Sequence, residues 1–251
     1  MSTVDTNQPL GTPTWLDLAV PDLARAQAFY GAVFGWTFDG GDCLLRGLPV
    51  AGLYRGEGRG WTVHLATDDC AATTAAVTAA GGTVLAEPHD VDGRGRAAVL
   101  ADPTGARFGL WQGRAFPGAR LVNEPGTLVR NDLVTTEAPL AREFYRSVFG
   151  FTLDANPDLP GADFTFLRRP DGHEIGGIFG VASAPASAWA TTFEVADTQA
   201  SAEKFATAGG TVTRGRRHPL RLYGHRHGPV RHGVHDDRAP LNSIAERAAG
   251  R

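Results

Sequence analysis

Hydrophobic and polar positions alternate over residues 14–20, and this period of two predicts a half-buried strand. Apolar residues then recur at helical spacing over residues 23–34, and Gly35 is placed to end that helix. Three short strand candidates follow at 36–39, 43–46 and 50–55, separated by glycine-rich turns. The pattern therefore predicts a βαβββ unit.

The same order of elements begins again at Trp61. An alternating strand leads into an alanine- and threonine-rich helix at 71–80, which Gly81-Gly82 stops. Strands are predicted at 83–87, 96–101 and 107–112, and the turn Asp102-Pro103-Thr104-Gly105 precedes the last of them. This is a second βαβββ unit.

Both units are repeated later in the chain. Asp17 and Phe29-Tyr30 recur 115 residues on, at Asp132 and Phe144-Tyr145. Trp61 recurs 128 residues on, at Trp189. Constant offsets that carry the same residue types indicate a duplication. We predict an α+β protein in which paired βαβββ units form curved, cup-shaped mixed sheets with the helices outside.

These repeats predict the domain organisation. We expect a flexible tail at 1–11, a first domain at 12–113, a linker at 114–126, a second domain at 127–215 and an aberrant tail at 216–251. The fourth unit is incomplete, because no strand alternation follows residue 216.

The aberrant tail holds five of the eight histidines. It can be a metal-binding tract, a disordered basic tail, or sequence out of its native frame after about Arg214. GC-rich codons for this stretch, read from the second base, supply a strand and a second Asp-Pro-x-Gly turn. We therefore favour a frameshift, which sequencing of the coding DNA would test.

Composition narrows the classes of function. A net charge of −3 and a pI near 6.2 argue against a nucleic-acid partner. We find no apolar run long enough to cross a membrane and no signal peptide, so we expect a cytoplasmic protein, either a monomer or a homodimer. The two cysteines suggest no disulfide framework.

The helix motif ending in Phe34-Gly35, the later Gly81-Gly82 and the Asp-Pro-x-Gly turn together resemble the vicinal oxygen chelate superfamily. This superfamily contains glyoxalases, bleomycin-resistance proteins and extradiol dioxygenases. The run Phe108–Gln112 is similar to that of two-domain actinobacterial glyoxalase-like proteins. The resemblance covers about residues 12–214 and implies cups that, in metal-dependent members, hold a divalent cation on His, Gln and Glu side chains.

The resemblance also implies where the metal ligands would lie. In the first domain those positions hold Trp15, Thr62 and Gly109, and in the second domain Arg130 and Ala190. None of these side chains is a usual ligand of a catalytic divalent metal. We therefore predict no metal site and no cofactor, although a divalent metal remains an implication of the resemblance.

Other side chains are predicted to face the first cup. Strand alternation places Trp15 and Asp17 there, together with Thr62 and His64. Asp17 and His64 hold equivalent positions in the first two units, on adjacent central strands. We therefore expect them within hydrogen-bonding distance, as a candidate acid–base pair. The alternative, which we prefer, is that His64 is a buried, satisfied polar group and that Asp17 ties down a loop.

Aromatic and charged residues complete the candidate sites. Trp15, Trp111 and Tyr54 are candidates to line a pocket for a flat ligand, although the tryptophans can equally be packing residues. In the second cup, Arg130 can bind an anion or pair with Asp132, and we prefer the salt bridge. His173-Glu174 is predicted to belong to a hairpin turn rather than to a metal site.

We predict metal-independent binding of a small hydrophobic or aromatic molecule in the first cup. The alternative is a glyoxalase- or hydroxylase-type enzyme that uses His64 with Asp17 or a divalent metal held in another way. A structural or regulatory protein with a degenerate second domain is the third possibility.

Overall fold

The computed structural model describes residues 2–58, 60–156 and 161–212, together with the backbone of 230–231. These residues form two curved mixed sheets, one two-stranded antiparallel sheet and four helices. The predicted α+β class and the tandem arrangement of cup-shaped sheets are confirmed. Within the described residues, no helix is long and apolar enough to span a membrane. Apart from the backbone of 230–231, the tail at 216–251 lies outside the described residues.

The first domain follows a short strand, β1 (Ser2–Thr3). Its elements are, in chain order, β2 (Pro13–Val20), α1 (Leu23–Phe34), β3 (Thr37–Asp39), β4 (Asp42–Leu45), β5 (Leu48–Arg55), β6 (Thr62–Ala66), α2 (Cys70–Ala79), β7 (Thr83–Val91), β8 (Gly95–Ala101) and β9 (Arg107–Gly113). The order in the sheet is β3-β4-β5-β2-β6-β9-β8-β7. Strands β2 and β6 are antiparallel in the centre, and each has a parallel neighbour, β5 and β9.

Asp22 and Asp69, which occupy equivalent positions in the first two βαβββ units, cap the helices that follow the central strands. The Asp22 carboxylate accepts a hydrogen bond from the N–H of Arg25, and α1 ends at Gly35 with a left-handed φ of 73°. Asp69 caps α2 in the same way. Each cap fixes where the chain leaves its central strand, and therefore which strand residues face the cup.

The second domain follows β10 (Leu121–Val122). Its elements are β11 (Leu128–Thr135), α3 (Ala138–Phe149), β12 (Thr152–Ala155), β13 (Phe164–Arg168), β14 (Glu174–Gly180), β15 (Ala188–Phe193), α4 (Thr198–Thr207) and β16 (Val230–Arg231). The sheet order is β12-β13-β14-β11-β15-β16. The two-residue β16 is antiparallel to β15, whereas the first domain has the longer, parallel β9 at the equivalent position.

The helices pack between the two sheets. Helix α1 contacts α4, and α2 contacts α3. The rings of Phe29 and Phe205 lie 5.0 Å apart across the first of these contacts. One apolar cluster runs through both domains and includes Leu16, Tyr145 and Trp189. The opposite face of each sheet is the inner surface of its cup.

The first eleven residues and the linker contact one another. Strand β1 pairs with β10, and Arg120 forms an ion pair with Asp5. The Asn7 side chain donates a hydrogen bond to the carbonyl of Thr67 at 3.0 Å. The sequence predicts a flexible tail at 1–11 and a linker at 114–126. It does not predict these contacts.

Candidate functional site

Asp17 and His64 meet on the inner face of the first sheet. Their strands pair so that Trp15 lies opposite His64 and Asp17 opposite Thr62. The His64 Nε2 atom is 2.8 Å from Asp17 Oδ2. The two atoms are not aligned as a hydrogen bond, so the contact is a close electrostatic approach. The expected proximity is present, and the catalytic role stays a prediction.

Trp15 holds the carboxylate of Asp17 from the other side. Its indole Nε1 donates to Asp17 Oδ1 at 2.8 Å. The side chain of Asp17 is 28% exposed, whereas that of His64 is 4% exposed. Asp17 is therefore the member of the pair that a ligand in the cup can reach.

Two glycines on the flanking strands make room for this pair. Gly52 of β5 lies opposite Asp17, and Gly109 of β9 lies opposite His64. A Cβ atom at Gly52 would lie 2.6 Å from Asp17 Oδ1, and one at Gly109 would overlap the His64 ring. Both polar side chains therefore lie against bare backbone.

The donor set does not fit the divalent metal that the resemblance implies. Of the expected ligand positions in the first domain, Trp15 and Thr62 supply no usual donor, and the space beside Gly109 is filled by His64. Within the described ranges, no three His, Cys, Asp or Glu side chains are grouped to hold a metal ion. The predicted lack of a metal therefore rests on the types of residue present.

Two of the three aromatic residues predicted to line the pocket, Trp15 and Trp111, contact the linker. Phe116 lies between Trp15 and Trp111, with ring centroids 4.9 and 5.8 Å away. The Trp111 indole also donates to the Phe116 carbonyl at 2.9 Å. Tyr54 is on the same face of β5 as Gly52 and is 44% exposed. The apolar part of the cup is thus covered by a side chain that sequence reasoning missed.

A signal for Phe116 does exist in the sequence. It is the one aromatic residue in the linker at 114–126, a segment rich in proline and glycine. Arg94, which stacks over the Phe116 ring at 3.8 Å, carries no comparable signal.

The second cup contains an ionic network. Arg130 Nε donates to both oxygens of Asp132, at 2.8 and 3.0 Å, and the guanidinium also binds Glu174. Burial acts to lower the pKa of Arg130, but Asp132 and Glu174 outweigh burial and raise it. The preferred salt bridge is therefore present. Thr192, which replaces the histidine, has a buried hydroxyl without a hydrogen-bond partner among the described residues.

His173 lies in the predicted hairpin turn, whereas Glu174 is the first residue of β14 and pairs with Arg168 of β13. The N–H of Arg169 donates to the His173 carbonyl at 3.0 Å, and Gly172 has a left-handed φ of 82°. His173 is exposed, while Glu174 binds Arg130 and Arg168.

Family models place the protein in a class that agrees with this fold. Residues 14–111 match a model described as a glyoxalase-like domain. Residues 127–225 match one described as the glyoxalase/bleomycin resistance protein/dioxygenase superfamily.

The chain belongs to this superfamily, since relatives that match it over most of their own length are also similar to it. CFP32 of Mycobacterium tuberculosis, provisionally named a glyoxylase, is 37% identical over 221 residues, which cover 80% of this chain and 84% of that protein. The anthracycline biosynthesis protein DnrV of Streptomyces peucetius is 35% identical over 230 residues, which cover 80% and 83%.

Solved structures show the same fold at low identity. The Mn(II)-bound glyoxalase from Novosphingobium aromaticivorans is 20% identical with a TM-score of 0.58, covering 84% of this chain and 74% of that chain. The halotolerant catechol dioxygenase BphC is 15% identical with a TM-score of 0.52, covering 81% and 77%. These likenesses concern the fold alone.

Proposed function

We propose that the first cup binds a small hydrophobic or aromatic molecule without a divalent metal. The observation that carries this proposal is the position of His64, whose ring fills the space beside Gly109 where the resemblance places a carboxylate ligand. The relatives named for a glyoxylase and for anthracycline biosynthesis agree with a small-molecule ligand.

The cup surface supports a ligand that is apolar with one polar group. Trp15 and Trp111 provide apolar walls, and the partly exposed Asp17 provides a hydrogen-bond acceptor between Trp15 and His64. Thr62 lies opposite Asp17 in the sheet, and Tyr54 stands at the rim. A ring that carries a hydroxyl or amine group would satisfy both the apolar and the polar surfaces.

Metal analysis and calorimetry together test this function. Protein purified without chelators should contain far less than one equivalent of Zn, Fe, Ni or Mn by mass spectrometry, and its binding of aromatic probes should be unchanged by a chelator. Near-stoichiometric metal, lost on chelation together with probe binding, would contradict the proposal. Binding that is unaffected by Asp17→Ala, with the fold intact, would contradict the assigned acceptor.

A second candidate function rests on the 2.8 Å contact between His64 and Asp17. A histidine held by a carboxylate is a common arrangement for general acid–base catalysis. If the protein turns over a ligand found by probe binding, His64→Ala should lower kcat at least about a hundredfold, within the range that acid–base catalysis contributes. Unchanged turnover in this variant would exclude His64 as the acid or base.

A further inference from the structure

We propose that residues 114–119 form a plug that occupies the first cup, and that Phe116 holds the position of an aromatic ligand ring. This inference rests on the proposed binding function and specifies how the site opens. Because the plug is part of the same chain, every molecule carries one plug, and the plug competes with any ligand for the cup.

The Phe116 ring is packed as a bound aromatic ligand would be. It meets the rings of Trp15 and Trp111 edge to face, at interplanar angles of 85° and 86°. The Arg94 guanidinium lies 3.8 Å from the centre of its ring. Phe116 is 9% exposed, although it comes from a connecting segment.

Arg94 also spans the mouth of the cup. It lies in the turn between β7 and β8, at one end of the sheet, and its Nη1 atom is 3.0 Å from Asp42 on β4, near the other end. Both side chains are about one-third exposed, so this ion pair is weak. It therefore acts as a clasp that can open without disturbing the core.

Five hydrogen bonds among the described residues hold the backbone of the plug. The N–H groups of Arg114 and Phe116 donate to the Arg94 carbonyl, and the Ala119 N–H donates to the Thr14 carbonyl at 2.8 Å. The Thr14 hydroxyl donates to the Pro117 carbonyl, and the Trp111 indole donates to the Phe116 carbonyl, both at 2.9 Å. Gly118 has a φ of 108°, which favours glycine and lets the chain approach Thr14. Residues 114–119 form no strand, so their release leaves the hydrogen-bond ladder of the sheet intact.

Trp15 connects the plug to the polar end of the cup. Its ring contacts Phe116 while its indole N–H binds Asp17. The ligand class implied is a planar aromatic molecule with a hydrogen-bond donor, whose ring replaces Phe116 and whose donor reaches Asp17. Because the plug must leave first, the apparent affinity is reduced by the fraction of open molecules.

The test uses the full chain with 1-naphthol as the probe in calorimetry, and acrylamide quenching of tryptophan fluorescence without a probe. Phe116→Ala should increase quenching and should tighten 1-naphthol binding at least about tenfold, as expected when the closed state is removed. Phe164→Ala is the matched control, since it truncates a buried ring in the second domain and should change neither readout.

Unchanged quenching with unchanged or weaker binding in Phe116→Ala would overturn the plug. Increased quenching without 1-naphthol binding by any variant would support the plug and contradict the proposed binding function. If Phe116→Ala does not fold, Arg94→Gln gives a second test, because it removes the clasp and should raise the association rate severalfold. An association rate equal to that of wild type would then overturn the proposal.

Discussion

The ring of His64 lies so close to Gly109 that a methyl group at position 109 would overlap it. The two residues are register partners on β6 and β9. The resemblance places a metal-binding carboxylate at position 109, and glycine there clears the space that His64 occupies beside Asp17. The glycine at position 109 therefore explains two features: the carboxylate ligand that the resemblance implies is absent, and His64 has room to lie beside Asp17.

Gly109→Ala should destabilise the protein by about 1–3 kcal/mol, the usual effect of overpacking a filled site. Urea denaturation would measure the loss. Gly56→Ala is the matched control, because a Cβ atom there finds its nearest neighbour at an ordinary 3.5 Å. Combining Gly109→Ala with His64→Ala should recover part of the loss, with a coupling above about 0.5 kcal/mol. Additive effects would mean that the His64 ring is not what resists the added methyl group.

Two tyrosines related by the duplication have different hydrogen bonding. The Tyr145 hydroxyl donates to Asp102 Oδ2 at 3.0 Å and accepts from the Trp189 indole at 2.9 Å. Tyr30 packs against Trp61 at a similar 5.4 Å between ring centroids, and the Trp61 side chain lies beside its hydroxyl, but no described residue accepts a hydrogen bond from that buried hydroxyl as Asp102 does from Tyr145. The counterpart of Asp102 would belong to the predicted missing turn of the fourth unit, which lies outside those residues.

Replacing each of these tyrosines by phenylalanine should therefore give unequal results. Tyr145→Phe should cost about 1–3 kcal/mol, because it removes two hydrogen bonds and leaves buried polar partners behind. Tyr30→Phe should change stability by less than about 0.5 kcal/mol, since the hydroxyl that it removes donates to no acceptor among the described residues. Urea denaturation of the two variants, each the control for the other, provides the comparison. Equal losses would show that the Tyr30 hydroxyl has an acceptor in solution.

Asp102 should make stability depend on pH. Burial raises the pKa of its carboxyl, while hydrogen bonds from Thr104, Ala106 and Tyr145 act in the opposite direction. A raised pKa means that the folded state holds the proton more tightly than the unfolded state does. The resulting stabilisation is complete below the ordinary value near 3.8 and is lost as the pH rises through the raised pKa.

The comparison of wild type with Asp102→Asn isolates this effect. The stability of the wild type relative to the variant should fall as the pH is raised from about 4, and should level off above the raised pKa. Urea midpoints measured at several pH values provide the test. A relative stability that rises over this range would mean that folding lowers the pKa of Asp102.

The sequence predicted the fold and part of the first cup for identifiable reasons. The helix predicted at 23–34 agrees with α1 to the residue because Gly35 ends it, and the contact between Asp17 and His64 follows from strand alternation combined with the duplication. The contact between Arg94 and Phe116 could not be predicted in this way. It joins a hairpin turn to a linker, and neither segment has a periodic pattern that fixes the direction of its side chains.

Arg130 and Asp132 give the last prediction, on the role of the second cup. Asp132 is 1% exposed and Arg130 is 12% exposed, so removing the guanidinium takes away a cation that neutralises a buried carboxylate. Arg130→Met should therefore cost about 3–5 kcal/mol in urea denaturation. Arg168→Met should cost about 1 kcal/mol or less, because the Arg168 pairs are more exposed. The double variant Arg130→Met with Asp132→Leu should recover much of the loss, since it removes both charges together. A small effect of Arg130→Met, combined with weaker binding of a small carboxylate such as benzoate, would instead assign Arg130 to anion binding.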